Sequence, residues 1–305
     1  MKRDLISILD WTSDEIRQNI DYAVELKQQT KQLNCPQLLK GKTYGMFFHK
    51  PSLRTRLSFE VGIVQLGGYA VNLSEQDFKI GERESVSDVA RVMSRYLDGI
   101  LIRTFSHELV LDMAKHATVP VINMLTDFNH PCQVMSDMLT IKEKIGRIDN
   151  VRIAYVGDSN NVTNSWLNMA ARIPLDLRIA TAPETEPDIK LVAKIKGTGI
   201  STIQVTNSAK EALSDAEIIY TDVWASMGEK NKIAEKEKFL KDFQVNSSLL
   251  QYARDDALVF HCLPAERDKE ITNEVIEGPQ SVVFDQAENR LHAQKAIMAQ
   301  LDKWY

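Results

Sequence analysis

The sequence predicts an α/β protein made of two doubly wound, parallel-sheet domains joined by helices. Three observations carry that expectation. Short apolar runs rich in β-branched and aromatic residues alternate with longer stretches of helical periodicity, the whole scheme occurs twice along 305 residues, and polar residues suited to chemistry gather just after the apolar runs. A chain of this length is long for one core, so two domains of ordinary size are expected.

In the first half, "KTYGMFFH" (42–49), "GYAVNLS" (68–74), "DGILIRT" (98–104) and "VPVINML" (119–125) are expected to be strands. They are nearly continuous apolar runs, the pattern of strands covered on both faces. Between them, "ESVSDVARVMSRYL" and "SHELVLDMAKHA" have helical spacing. A further helix is expected to begin at Ser52–Thr55, with Leu57, Val61 and Val64 on one buried face, and another near Pro131. The polar stretch "KEKIGRIDN" (142–150) marks a boundary, giving a first domain of 1–147 and a second of 148–285.

In the second half the expected strands are "VRIAYVGD" (151–158), "DLRIATA" (176–182), "STIQVTN" (201–207), "AEIIYTDV" (216–223), "ALVFHCLP" (257–264) and "SVVFD" (281–285). The closing segment places Leu291, Ala293, Ile297, Leu301 and Trp304 at near-helical spacing. An amphipathic C-terminal helix at about 286–305, packing back on the first domain, is expected.

A net charge of -5 gives no electrostatic reason to expect nucleic acid or a membrane as partner. Cys35, Cys132 and Cys262 are odd in number and widely spaced, which favours neither a disulfide framework nor a zinc site. The N-terminal apolar stretch is broken by Asp10 before it reaches the length of a signal sequence, and no run approaches a membrane span. A cytoplasmic protein is expected.

Ligands of open parallel sheets gather beyond the carboxyl ends of the strands. There the sequence places "HKPSLRTR", Arg103, "DFNHPCQ", "GDSNN", "TDVWASMG" and "HCLPAER". Ser52, Arg54 and Thr55 sit where a helix begins, so free backbone N–H groups and the helix dipole add to side-chain donors in a cradle for phosphate or carboxylate. Taken alone, the turn is equally well read as a Ser52-capped helix with solvated Arg54 and Arg56. The chain has neither a Walker loop nor a dinucleotide fingerprint, so no nucleotide cofactor is expected. Arginine in place of lysine suits a small, doubly charged anion held bidentately.

"KPSLRTRLSFE" resembles the carbamoyl phosphate signature S-T-R-T-R of the aspartate/ornithine carbamoyltransferase family, and "HPCQ" resembles its second shared motif. "DVWASMG", "HCLP" and "SVVFDQAENRLHAQKA" are similar to motifs of the ornithine-specific members, so the resemblance runs along essentially the whole chain. It implies transfer of a carbamoyl group from carbamoyl phosphate to the side-chain amine of L-ornithine, within arginine metabolism and without metal or organic cofactor.

The resemblance also implies roles. Ser52, Leu53, Arg54 and Thr55 hold the phosphate, and Thr55, Arg103 and His130 meet the charge that develops on the carbonyl oxygen. Gln133 and the Leu263 carbonyl face the carbamoyl nitrogen, and Arg290 reaches carbamoyl phosphate. Asn161, Asp222, Ser226 and Met227 bind ornithine, and Cys262 lies beside the reacting amine. Leu53 departs from the signature's first threonine, and Lys79 stands where ornithine-specific members often carry Gln or His. The family's Lys79 loop enters a neighbouring subunit's site, which implies a homotrimer with shared sites. N-acetyl- or N-succinylornithine as acceptor, or a paralogue that binds without turnover, are the alternatives; Leu53 favours the first but the intact "DVWASMG" and "HCLP" oppose it, and the intact transition-state donors oppose the second.

Overall fold

The computed structural model describes residues 2–74, 80, 84–225 and 233–304. Lys79, Ser226 and Met227 lie outside them. The chain divides into two compact units, 1–144 with 288–305, and 145–287.

Unit 1 opens with α1 (Ser13–Lys31), an element that the sequence reading above does not assign. Its signal is local: Thr12 accepts from Glu15 N while Glu15 reaches back to Thr12 N, a capping box that satisfies two donors at the helix start. There follow β1 (Thr43–Phe48), α2 (Leu53–Gln65), β2 (Tyr69–Ser74), α3 (Val86–Tyr96), β3 (Gly99–Arg103), α4 (His107–His116), β4 (Val121–Leu125) and α5 (Pro131–Ile145). The four strands form a parallel sheet in the order β2-β1-β3-β4. The order in which strands are added reverses between β1 and β3, and open parallel sheets bind ligands beyond the strand ends at such a point, here Phe48 and Arg103.

Unit 2 runs through β5 (Val151–Val156), α6 (Asn161–Ala170), β6 (Leu175–Ala180), α7 (Ile189–Lys196), β7 (Thr202–Thr206), α8 (Ala209–Leu213), β8 (Ile218–Thr221), α9 (Ile233–Leu240), α10 (Ser247–Leu250), β9 (Leu258–His261) and α11 (Asn273–Ile276). Its parallel sheet has the order β7-β6-β5-β8-β9, with the switch between β5 and β8. The fold class is the expected one, with nine of the ten expected strands present.

The tenth is a correction. "SVVFD" contributes one isolated bridge, Ser281 to Val259, and from Val283 the chain is already in α12 (Val283–Trp304). Val282 and Val283 are buried, so their apolar character reflects burial at a helix start, where tertiary packing outweighs β-propensity.

The expected buried face of α2 is also corrected. Leu57, Val61 and Val64 are exposed, at 52%, 39% and 62%. The helix buries Thr55, Phe59, Gly62 and Ile63 instead. Both sets satisfy i, i+4 spacing; the second is chosen because Gly62 lets α12 approach, an added Cβ there falling 3.2 Å from Lys295 Cγ and 3.5 Å from Met298 Cε.

Helix α12 is not amphipathic over its middle: every residue from 292 to 301 is buried. Its polar groups are therefore matched inside unit 1. Lys295 Nζ donates to Thr30 Oγ1 at 2.5 Å and Gln65 Oε1 at 2.8 Å, and Asn289 Oδ1 accepts from Lys27 Nζ at 2.7 Å.

His292 on this helix is held neutral. Burial, aided by the positive charges of Lys295, Lys27 and Lys31, pushes its imidazole down to about 3. The unfolded chain takes up that proton near pH 6.5, so the stability is fully present above 6.5 and is lost as pH falls from there towards 3. Urea unfolding should therefore show a loss between pH 7 and pH 5 that is smaller in His292→Gln by about 2 kcal/mol. An identical loss in the variant would reject the assignment.

Candidate active site

One cluster of candidate residues is built at the switch point of the unit 1 sheet. Beyond β1, Ser52 is the N-cap of α2, extended at φ -159°, and its Oγ accepts from Thr55 N at 3.3 Å. Leu53 is exposed and Arg54 half-buried, whereas Arg56 is exposed and pairs with Glu60 along the helix.

Thr55 is fully buried, and two guanidinium groups converge on its hydroxyl oxygen. Arg103 Nη1, from the end of β3, donates to it at 3.1 Å, and Arg290 Nη2, from α12, at 2.7 Å. The β3–β4 register shifts between Ile102 and Arg103, a local irregularity of the kind that re-aims a side chain. His130 stands immediately before α5, 4% exposed, and Gln133 in the first turn donates from Nε2 to Asp137 Oδ1 at 2.8 Å.

The electrostatics follow from this packing. Burial, reinforced by the charges of Arg290 and Arg103, holds His130 well below the ordinary histidine range, so the ring is neutral and keeps one N–H donor. Burial likewise pushes the Cys132 thiol up to about 12. Cys132 donates to the Asn123 carbonyl, at 3.4 Å, and is structural. A helix N-terminus, two buried guanidinium groups and a neutral imidazole make a pocket of positive potential suited to a small dianion.

A separate cluster lies at the switch point of the unit 2 sheet. Gly157, at φ +126°, makes the turn out of β5 that a side chain would strain. Asn160 then caps α6, and Asn161 is its first residue, half-buried. Asp222 follows β8 and is 6% exposed. Its Oδ1 accepts from Val223 N and Cys262 Sγ, each at 2.9 Å, and its Oδ2 from Asn160 Nδ2 at 2.8 Å.

The turn after β9 is fixed from below. His261 Nδ1 accepts from Leu263 N at 2.9 Å, so the ring proton is on Nε2, which donates to the buried Glu270 carboxylate at 3.0 Å. Leu263 is thereby held at φ +57°. Asp222, His261 and Cys262 bring possible ligand atoms within 4.8 Å of one another. Both ring nitrogens are already engaged, and the cluster is a hydrogen-bonded one.

Sequence reasoning missed Asn160, His261 and Glu270. Asn160 had a signal, an Asn at an N-cap position in "GDSNN"; Glu270 had none, since nothing in the sequence brings it beneath His261.

Thr55→Val keeps the volume but removes the oxygen that Arg103 and Arg290 share. Denaturation should show it less stable by about 1–3 kcal/mol, and Thr55→Ser nearly unchanged. Equal stability of the two variants would mean that the shared oxygen contributes nothing.

Residues 3–143 match the family model for the aspartate/ornithine carbamoyltransferase carbamoyl-P binding domain, and residues 149–301 that for the Asp/Orn binding domain. The chain is 48% identical to ornithine carbamoyltransferase of Syntrophus aciditrophicus (strain SB) over 298 residues, covering 98% of this chain and 99% of the relative. It is also 48% identical to the chloroplastic ornithine carbamoyltransferase of Pisum sativum, over 97% of this chain and 79% of that one. Among solved structures, ornithine carbamoyltransferase from Pyrococcus furiosus superposes with a TM-score of 0.94 at 45% identity, covering 98% of this chain and 96% of the other. The anabolic enzyme of Campylobacter jejuni subsp. jejuni gives 0.94 at 35% identity, with 100% of both chains covered. With both family models matched in order and relatives alike over 97% to 98% of this chain, it belongs to the aspartate/ornithine carbamoyltransferase family.

Proposed function

We propose that this chain transfers the carbamoyl group of carbamoyl phosphate to the side-chain amine of L-ornithine, giving L-citrulline and phosphate. The observation that carries the reading is the Thr55 hydroxyl held by Arg103 and Arg290 at a capped helix N-terminus, a pocket charged to receive the donor's dianion. Ornithine as acceptor is supported by the names of the relatives and by the hydrogen-bonded Asp222 carboxylate, a partner for an ammonium.

In this reading Ser52, the Leu53 and Thr55 backbone, and Arg54 hold the phosphate, with Arg290 beside them. Thr55, Arg103 and the neutral His130 meet the charge that builds on the carbonyl oxygen as the amine attacks. Gln133 and the Leu263 carbonyl hold the carbamoyl nitrogen, and Cys262 lies beside the reacting amine. Asn161, Asp222, Ser226 and Met227 hold ornithine. The amine must be neutral to attack; the new C–N bond forms, the C–O bond to phosphate breaks, and the departing phosphate takes the proton.

A panel of ornithine, N-acetylornithine, N-succinylornithine, putrescine and aspartate with carbamoyl phosphate tests reaction and acceptor together. Citrulline formation from ornithine, with the others at least about a hundredfold slower, is expected. Preference for an acylated ornithine would replace the acceptor; no transfer to any amine would leave the binding-only alternative.

The proposal extends to a homotrimer in which Lys79 serves a neighbouring chain's phosphate site. Support comes from the exposed apolar side of α2, Leu57, Val61 and Val64, and from the edge strand β2, where Tyr69 is 76% exposed. An apolar edge of this kind is ordinarily covered. Light scattering should give three times the chain mass for the parent and one times for Leu57→Asp with Val64→Asp; an unshifted trimer in the variant would place the interface elsewhere. A cytoplasmic setting and a role in arginine biosynthesis complete the proposal. Among the described residues, no helix is long and apolar enough to cross a membrane.

A further inference from the structure

Asn160 has no substrate role in the reading above, yet its amide is engaged at both ends. Oδ1 accepts from Val162 N at 2.8 Å, Thr163 N at 3.4 Å and the Tyr155 hydroxyl at 3.3 Å. Nδ2 donates to Asp222 Oδ2 at 2.8 Å. The orientation of the amide is dictated by chemistry: the helix start presents N–H donors and needs an oxygen, Asp222 presents a carboxylate and needs an N–H. Only Asn or Gln supplies both atoms from one planar group, and only Asn has the reach of an N-cap.

Asp222 is in turn held at both oxygens. Asn160 takes Oδ2, while Val223 N and Cys262 Sγ take Oδ1. The Asn160 bond is the one that fixes rotation about the carboxylate's own axis from the side opposite the thiol, and it ties the end of β8 to the turn after β5. The Asn160 backbone N–H donates to Thr163 Oγ1 at 3.3 Å, so the donor itself is held in place.

We infer that Asn160 is a positioning residue: it uses the cap of α6 to aim the Asp222 carboxylate at the acceptor amine. This rests on the reading that Asp222 meets ornithine. A carboxylate free to turn still attracts the ammonium but leaves the amine misaligned, and small misplacements of a reacting group cost rate more than binding.

The rival account makes Asn160 a helix cap and nothing more, and two substitutions separate them. Asn160→Asp caps a helix as well as Asn but loses the donor and sets a second carboxylate against Asp222. Asn160→Ser also caps, adds no charge and does not reach Asp222. Both variants should keep the parent's KM for carbamoyl phosphate and, for Asn160→Ser, a thermal midpoint within about 3 °C of the parent. Their kcat with ornithine should fall roughly ten- to a hundredfold, with a smaller change in ornithine KM. Crystal structures of the parent and Asn160→Ser should show the Asp222 carboxylate turned from its parent position.

Parent-like ornithine kinetics in Asn160→Ser would overturn the inference, as would an unmoved Asp222 carboxylate. A parent protein that transfers nothing to ornithine would instead sink the functional reading, and the two crystal structures would still decide whether Asn160 aims Asp222.

Discussion

Two guanidinium groups meeting on one hydroxyl oxygen is the arrangement on which unit 1 depends. Arg103 and Arg290 arrive from segments almost 190 residues apart in sequence, and Thr55 is the acceptor that they share. Like charges this close repel in a buried setting, more strongly than they would in water. The sheet, α2 and α12 hold them together regardless, so the packing of the unit maintains a concentration of positive charge. Burial, with the charges of Arg290 and Arg103 added to it, keeps His130 neutral, so the ring retains one N–H donor and adds no third positive charge.

Unit 2 uses the same topological position with the opposite sign. Its switch point between β5 and β8 carries a carboxylate where unit 1 carries guanidinium groups. In both units a capped helix begins at the crevice. Ser52 caps with a hydroxyl oxygen, which accepts from Thr55 N. Asn160 caps with its oxygen and has an N–H left over, which goes to Asp222. The difference between a hydroxyl and an amide at the cap thus matches the difference in the charge each crevice presents.

Burial along α12 imposes a second constraint. From Glu288 onward the helix belongs to unit 1, and its buried polar groups are matched to α1, α2 and α5 by Lys295, Asn289 and Arg290. The close approach at Gly62 turns α2 so that Phe59 and Ile63 face inward. Leu57, Val61 and Val64 are left on the outside, as an exposed apolar side of the helix.

The strands and the strand-end residues were legible because both are local. A buried parallel strand is a continuous apolar run, and polar residues that follow one lie at a sheet edge whatever the rest of the chain does. Thr55, Arg103, His130, Asp222 and Cys262 could be marked on that ground before any contact was known. The inward face of α2 could not, since two sets of residues have equal helical spacing and only the position of Gly62 against α12 separates them. "SVVFD" misled because burial selects valine in helices and strands alike. The hydrogen bond from Asn160 that holds Asp222 joins residues whose proximity is set by sheet order, and the one from His261 to Glu270 depends on how the chain after β9 folds back. Sequence by itself determined the local states of the chain and the chemistry offered at each strand end; the tertiary structure decided which of those groups meet, because hydrogen bonds and repulsions across 40 to 235 residues exist only once the strands have taken their order.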